Sequence, residues 1–333
     1  MEFGLTFMLD PPVSRTVGWA KRAEEVGFDY VWAWDSHVLW QEFYVTFALI
    51  GAGTSKLRLG PCVTNPATRD VTVTASAMAT LNEVTGGRMD VGMGRGDSAR
   101  RVIGKTPVTV EHMEADAKLI KELAEGREVD YDGTPLHLKW SEGHALPIWF
   151  AAYGPKALRA CGRTADGLIM QLADPYILEW SLQYVREGAE QAGRSFDDIR
   201  IQVAAPCYVG DLAKARDQVR WFPALVSNHV VDLVNRYKTQ ELPQHLTDYI
   251  EARKGYDYEH HGRTGSDNAE FVTDEVVDRF CVIGTADECV AKLQELQGLG
   301  MTQFNIYTMQ DDPGPGGIIE DFARDVMPAF RAS

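Results

Sequence analysis

His37 stands two residues after Asp35, just past the apolar run FDYVWAW at 28–34. An imidazole so placed can take or give a proton near neutral pH with help from the carboxylate, so His37 and Asp35 are the catalytic candidates. The same histidine would also serve as a hydrogen-bonding group on a rim. Tyr153-Gly154-Pro155-Lys156 suggests a different chemistry. A glycine admits close backbone approach, a proline suits the first helical position, and the helix N-terminus then offers free N–H groups to an anion. Lys156 adds a positive charge, although these four residues would equally build an ordinary strand-to-helix turn. Gly92-Met93-Gly94-Arg95-Gly96-Asp97 has GxGxG spacing without the helix phasing of a dinucleotide fingerprint. Its glycines suit a flat ligand lying against the backbone. Trp32, Trp34, Trp40 and Tyr44 could line a flat heteroaromatic pocket. Because Trp32 and Trp34 share a parity, they could instead be aromatic core. Arg69, Arg95, Arg100 and Arg101 offer a path for an anionic tail, a grip on a substrate carboxylate, or merely solvated charge. His260-His261 reads as a solvated pair, and no metal is expected because nearby carboxylates are not at ligand spacing on a regular element.

These groups act together only if one scaffold gathers them. Short apolar runs at 2–8, 28–34, 56–63, 88–94, 147–151, 166–171, 198–207 and 301–309 read as strands. Helical patterns at 13–26, 43–53, 70–84, 109–125, 155–163 and 175–192 fall between them, and Val71, Ala75, Met78 and Ala79 share one face. Eight strands alternating with helices predict an α/β fold, a single (β/α)8 TIM barrel over residues 1–333. Two segments break the rhythm. Asp132-Gly133 between alternating apolar positions predicts a hairpin insertion at about 128–140. From about 211 to 275 a helical stretch runs into the polar segment EARKGYDYEHHGRTGSDNAE, which is too long for a simple loop and reads as a lid-like insertion. Thr285 and Glu288 form a capping-box pattern ahead of the last helix-strand unit. A barrel of this kind carries its site at the C-terminal strand ends, where Asp35, Thr64, Asn65, Gly96, Asp97, Tyr153 and Gln171 all fall.

Composition narrows the partners. Of 333 residues 45% are hydrophobic and 24% charged, an ordinary globular balance, and the formal charge of -15 opposes a phosphate-tracking groove. Neither nucleic acid nor a membrane is expected as a partner. Five cysteines without a CxxC pair fit a reducing compartment, and MEFGLTFMLD shows no basic leader, so a soluble cytoplasmic protein is expected.

Three segments carry a resemblance. LRLGPCVTNPATRDVTVTASAMATLNEVTGGRMDVGMGRGD, AAYGPKALRACGRTADGLIM and FCVIGTADECVAKLQELQGLGMTQFNIY together resemble the luciferase-like (bacterial luciferase) superfamily, in a branch near methylenetetrahydromethanopterin reductase. The resemblance implies a (β/α)8 barrel holding FMN or the deazaflavin coenzyme F420 at its C-terminal mouth. It places the ring against Pro61, Cys62, Val63 and Thr64, over a backbone bulge or cis peptide, and the phosphate at Tyr153, Gly154 and Pro155. Asn65, Gly96 and Asp97 match positions near the cofactor, and Gln171 closes the pocket. The family's Asp-His motif aligns its histidine with His37, which leaves Ser36 in the acidic position and Asp35 displaced by one. The activity expected first is a two-component monooxygenase, in which reduced FMN from a separate flavin reductase meets oxygen and a small heteroaromatic or polar substrate. The alternative is an F420-dependent reductase that passes a hydride to or from a small organic molecule. A third is a catalytically silent flavin-binding partner subunit. A homodimer is expected, through the helices at 43–53 and 70–84.

Overall fold

In the computed structural model, residues 1–237, 242–251, 253, 255–309 and 313–331 are described. Eight strands form one parallel sheet. They are β1 (Glu2–Phe7), β2 (Tyr30–Ala33), β3 (Arg58–Pro61), β4 (Val91–Met93), β5 (Ile148–Ala151), β6 (Gly167–Met170), β7 (Arg200–Ala205) and β8 (Gln303–Tyr307). Ladders link them in the order β3-β2-β1-β8-β7-β6-β5-β4, and parallel bridges Leu59↔Met89 and Thr64↔Met93 draw the two ends together. The fold is an α/β barrel with its helices outside. Nearly every strand residue is buried because helices cover the outer face and side chains fill the inner one. The helix Val71–Thr85 shows how a covering element is set: Asp70 accepts from the Thr72 N–H at 2.9 Å, Gly86 ends the helix at φ 65°, and Ala75, Met78 and Ala79 face inward.

The N-terminal end of the barrel is plugged. Tyr30 stacks on Trp32 at 5.2 Å, and Trp149 meets the indole edge-on at 5.9 Å. A Cβ on Gly60 would stand 2.5 Å from the Asp90 carbonyl oxygen and 2.7 Å from the Trp32 ring, so only glycine leaves room for that indole. Above it, Trp32 Nε1 donates to Gln303 Oε1 at 3.2 Å, and Asn305 Nδ2 donates to Gln202 Oε1 at 3.0 Å. Trp32 is thus core, and a ligand space must lie at the other mouth.

Two details differ from the expected pattern. The strand expected over 198–207 ends at Ala205, because Pro206 has no N–H to continue the ladder. Cys207–Val209 then leaves the barrel and pairs in parallel with Val282–Gly284, a three-residue strand too short to carry a period of its own. The segment at 128–140 holds an antiparallel hairpin, Val129–Tyr131 against Thr134–Leu136, turning at Asp132 and Gly133. Within 211–275 the helix Trp221–Val234 buries every residue from Trp221 to Asn228, together with Val230 and Leu233. An all-round apolar helix must be covered on several sides, and this one lies across the C-terminal mouth. Among the described residues no helix is long and apolar enough to cross a membrane.

Candidate active site

A cavity of about 420 Å³ opens at that mouth, between the C-terminal strand ends and the covering helix. Its floor begins where β3 ends. The Cys62–Val63 peptide is cis, and the segment is pinned by Thr64 N–H donating to Gly92 O at 2.9 Å and Gly94 N–H to Thr64 O at 2.8 Å. A Cβ on Gly94 would stand 2.7 Å from Val63 Cγ2, so β4 needs glycine where the cis segment lies against it. Asn65 Oδ1 accepts from the N–H groups of Ala67 and Thr68, each at 3.1 Å, in an Asx turn that shapes the rim. Cys62, Val63, Thr64 and Asn65 line the cavity, while Pro61 lies behind them, paired in register with Ala33.

The β2 end divides its polar residues between inside and outside. Asp35 is buried on the lining and accepts from Thr64 Oγ1 and Arg69 Nη1, both at 2.7 Å. Arg69 also reaches Glu42 at 2.8 Å and lies over the Tyr44 ring at 4.6 Å. Ser36 Oγ meets Ser98 Oγ at 2.8 Å. His37, by contrast, is exposed and is not on the lining, because β2 ends at Ala33 and its alternation does not extend that far. Trp34 lines the cavity, with Trp40 edge-on behind it at 5.6 Å.

The loop after β5 forms the opposite end. Gly154 precedes the helix Pro155–Thr164 with no side-chain cap, so first-turn N–H groups are left for other acceptors. Lys156 N–H donates to the Tyr237 hydroxyl at 3.3 Å, and a Cβ on Gly154 would stand 2.5 Å from Leu233 Cδ2. Pro155 fills the first helical position and is not on the lining, and Lys156 Nζ pairs with Glu111. Tyr153 donates its hydroxyl proton to Gln171 Oε1 and stacks on His229 at 4.5 Å. Gly96 and Asp97 line the wall, where Arg101 joins Asp97 at 2.5 Å to Asp232 of the covering helix at 2.9 Å. Of the four arginines singled out in the sequence, Arg95 alone lines the cavity among the described residues. Burial lowers its affinity for the proton, and the nearby charge of Arg236 lowers it further. Arg236, on the same lining, lies 3.8 Å from Asp232.

Burial sets the protonation states. Burial pushes the Cys62 thiol up to about 12 and raises the Tyr153 and Tyr307 phenols, so all three stay neutral. It lowers His229 and brings His261 down to about 4, so both imidazoles are uncharged at neutral pH. Reading His260-His261 as a solvated pair holds for His260, which pairs with Asp257 at 3.2 Å in solvent, and fails for His261, which is 7% exposed and lines the cavity. Leu225, His229, Asp232, Leu233, Arg236, Tyr237 and Tyr307 also line the cavity and went unrecognised in the sequence. Among the described residues no group of three His, Cys, Asp or Glu side chains could hold a metal ion.

With this geometry in hand, likeness to known proteins acquires meaning. The profile of the family described as "Luciferase-like monooxygenase" matches residues 1–303. A 5,10-methylenetetrahydromethanopterin reductase of Methanolobus tindarius is 31% identical over 91% of this chain and 93% of its own length. An F420-dependent glucose-6-phosphate dehydrogenase of Amycolatopsis mediterranei is 26% identical over 95% of this chain and 94% of its own. Among solved structures, the coenzyme F420-dependent tetrahydromethanopterin reductase of Methanopyrus kandleri superposes with a TM-score of 0.79, at 24% identity over 99% of both chains, a likeness of fold.

Proposed function

The chain belongs to the luciferase-like monooxygenase family of oxidoreductases, and from that premise we propose that it moves a hydride between coenzyme F420 and a small organic molecule. The observation that carries this reading is the F420-dependent dehydrogenase aligned over nearly the whole of both chains. The reductase from Methanolobus tindarius supports the same direction. Neither relative is named a monooxygenase, so the expected preference for reduced FMN and oxygen yields to the deazaflavin alternative. Coenzyme F420, when bound, supplies a two-electron hydride carrier.

The residues of this chain fit such a group. Val63, Ala152 and Ile169 give the cavity apolar walls beside the cis segment, where a flat ring can lie. Gly154, the first turn after it, and the guanidinium groups of Arg95 and Arg236 on the lining gather donors and positive charge for a phosphate. The covering helix, through Leu225, His229 and Leu233, keeps water from the space between. Anaerobic titration with F420 and with FMN, followed by cofactor fluorescence, tests the reading. Saturable binding of F420 is expected; binding of FMN with none of F420 refutes it.

A further inference from the structure

We propose that His261, contributed by the insertion, is the group that holds the oxygen of an uncharged carbonyl or hydroxyl substrate. The inference rests on the reading above, in that it names the substrate class of the same site. Its first support is position. His37 faces solvent, whereas the His261 ring lies on the cavity wall, 6.0 Å from the ring of Trp34. The segment is laid tightly there: a Cβ on Gly262, at φ +70°, would stand 2.9 Å from Trp34 Cζ3.

The second support is how the imidazole is held. The Tyr256 hydroxyl lies 2.9 Å from His261 Nδ1. A phenol donates to an uncharged imidazole, so Tyr256 gives its proton to Nδ1 and leaves the ring proton on Nε2. Among the described residues no group hydrogen bonds to Nε2. Tyr256 is therefore a positioning residue and His261 presents a neutral N–H donor, since burial keeps the imidazole uncharged at neutral pH.

The third support is charge. Trp34 and Tyr307 stand at this end of the lining, their rings 5.5 Å apart, and the lining carboxylates Asp97, whose charge reaches His261, and Asp35 are held by Arg101 and Arg69. The cations on the lining, Arg95, Lys156 and Arg236, belong to the walls after β4 and β5 and to the covering segment. Among the described residues no cation of the lining is placed at this end for a phosphorylated or carboxylate substrate, while a neutral oxygen finds a donor and aromatic walls.

The test uses the full chain and isobutyramide, a neutral carbonyl compound that accepts no hydride, with isobutyrate as its anionic counterpart. Histidine ring NMR, with the His261 signal assigned by its loss in His261→Gln, should show the Nε2 resonance move on titration. His261→Leu should weaken isobutyramide about tenfold, while His261→Gln, which keeps a donor, stays within about threefold. An unmoved His261 signal, unchanged affinity in His261→Leu, or isobutyrate binding as tightly as the amide overturns the proposal. Should His261→Leu fail to fold, the wild-type ring signal and the comparison with His261→Gln decide it. Titration of each protein with F420 is read separately. If F420 fails to bind the wild type, the hydride-transfer reading falls, while the amide titration still reports on His261.

Discussion

Removing the guanidinium of Arg69 should expose what holds Asp35 in the wall of the cavity. The Asp35 side chain is 1% exposed and accepts from Arg69 and Thr64 at 2.7 Å each, whereas Arg69 is 19% exposed. Breaking a buried pair from one side costs about 3–5 kcal/mol, because the remaining charge stays out of water. Arg69 is partly solvated and Thr64 remains, so Arg69→Met belongs near the lower bound, about 3 kcal/mol. Unfolding entropy of about 2.1 cal/mol/K per residue over 333 residues is about 0.7 kcal/mol/K, so the loss appears as a fall in melting temperature of about 4 °C. Asp35→Asn leaves Arg69 paired with Glu42 and should cost about 1 kcal/mol. In the double variant no unpaired buried charge remains, so the combined loss should fall short of the sum by about 2 kcal/mol. Calorimetry on the four proteins measures this coupling. Strict additivity, or an Arg69→Met protein melting within about 1 °C of the wild type, would refute the account of Asp35 as an anion fixed by its neighbours.

Other outcomes follow from the same geometry. His37→Ala should leave both F420 binding and steady-state turnover unchanged, since the side chain is exposed and off the lining; a large drop in kcat would return it to the mechanism. Arg236→Gln should weaken F420 about tenfold and leave the phosphate-free deazaflavin chromophore nearly unaffected; equal losses for both would remove Arg236 from the surroundings of the phosphate. Stability should fall on acidification through His261. The unfolded imidazole takes a proton below its ordinary 6.5 while the folded one resists to about 4, so the unfolded state binds more protons and gains by about 3 kcal/mol across that window. Denaturant titrations of the wild type and His261→Gln between these limits should diverge by that amount, and parallel curves would contradict the burial of the ring.

The barrel was legible because its strands are continuous apolar runs, buried on both faces, and because helices of clear period separate them. The turn after β5 was legible for a similar reason: Gly154 and Pro155 are punctuation with few other uses at the start of a helix. The rest of the site failed to show for reasons that can be assigned residue by residue. Parity along β2 gave the shared face of Trp32 and Trp34 but not their depth, and depth decides that one plugs the barrel while the other faces the cavity. The helix Trp221–Val234 is apolar all round, so no period marks the side carrying Leu225, His229 and Leu233. His260 closes a 3₁₀ turn and His261 follows it; with about three residues per turn, neighbours there point far apart, which is how one reaches solvent and the other the cavity. The net charge of -15 averages over the chain and does not describe the cavity. Among the described lining residues Arg95, Lys156 and Arg236 match Asp35, Asp97 and Asp232 one for one, so the acidic surplus lies away from the cavity. Asp35 is held by Arg69, Asp97 by Arg101, and Asp232 by Arg101 and, at 3.8 Å, by Arg236. The field at the lining is therefore close to balance although the whole chain is strongly negative, and in a partly enclosed site its short-range contacts are screened least.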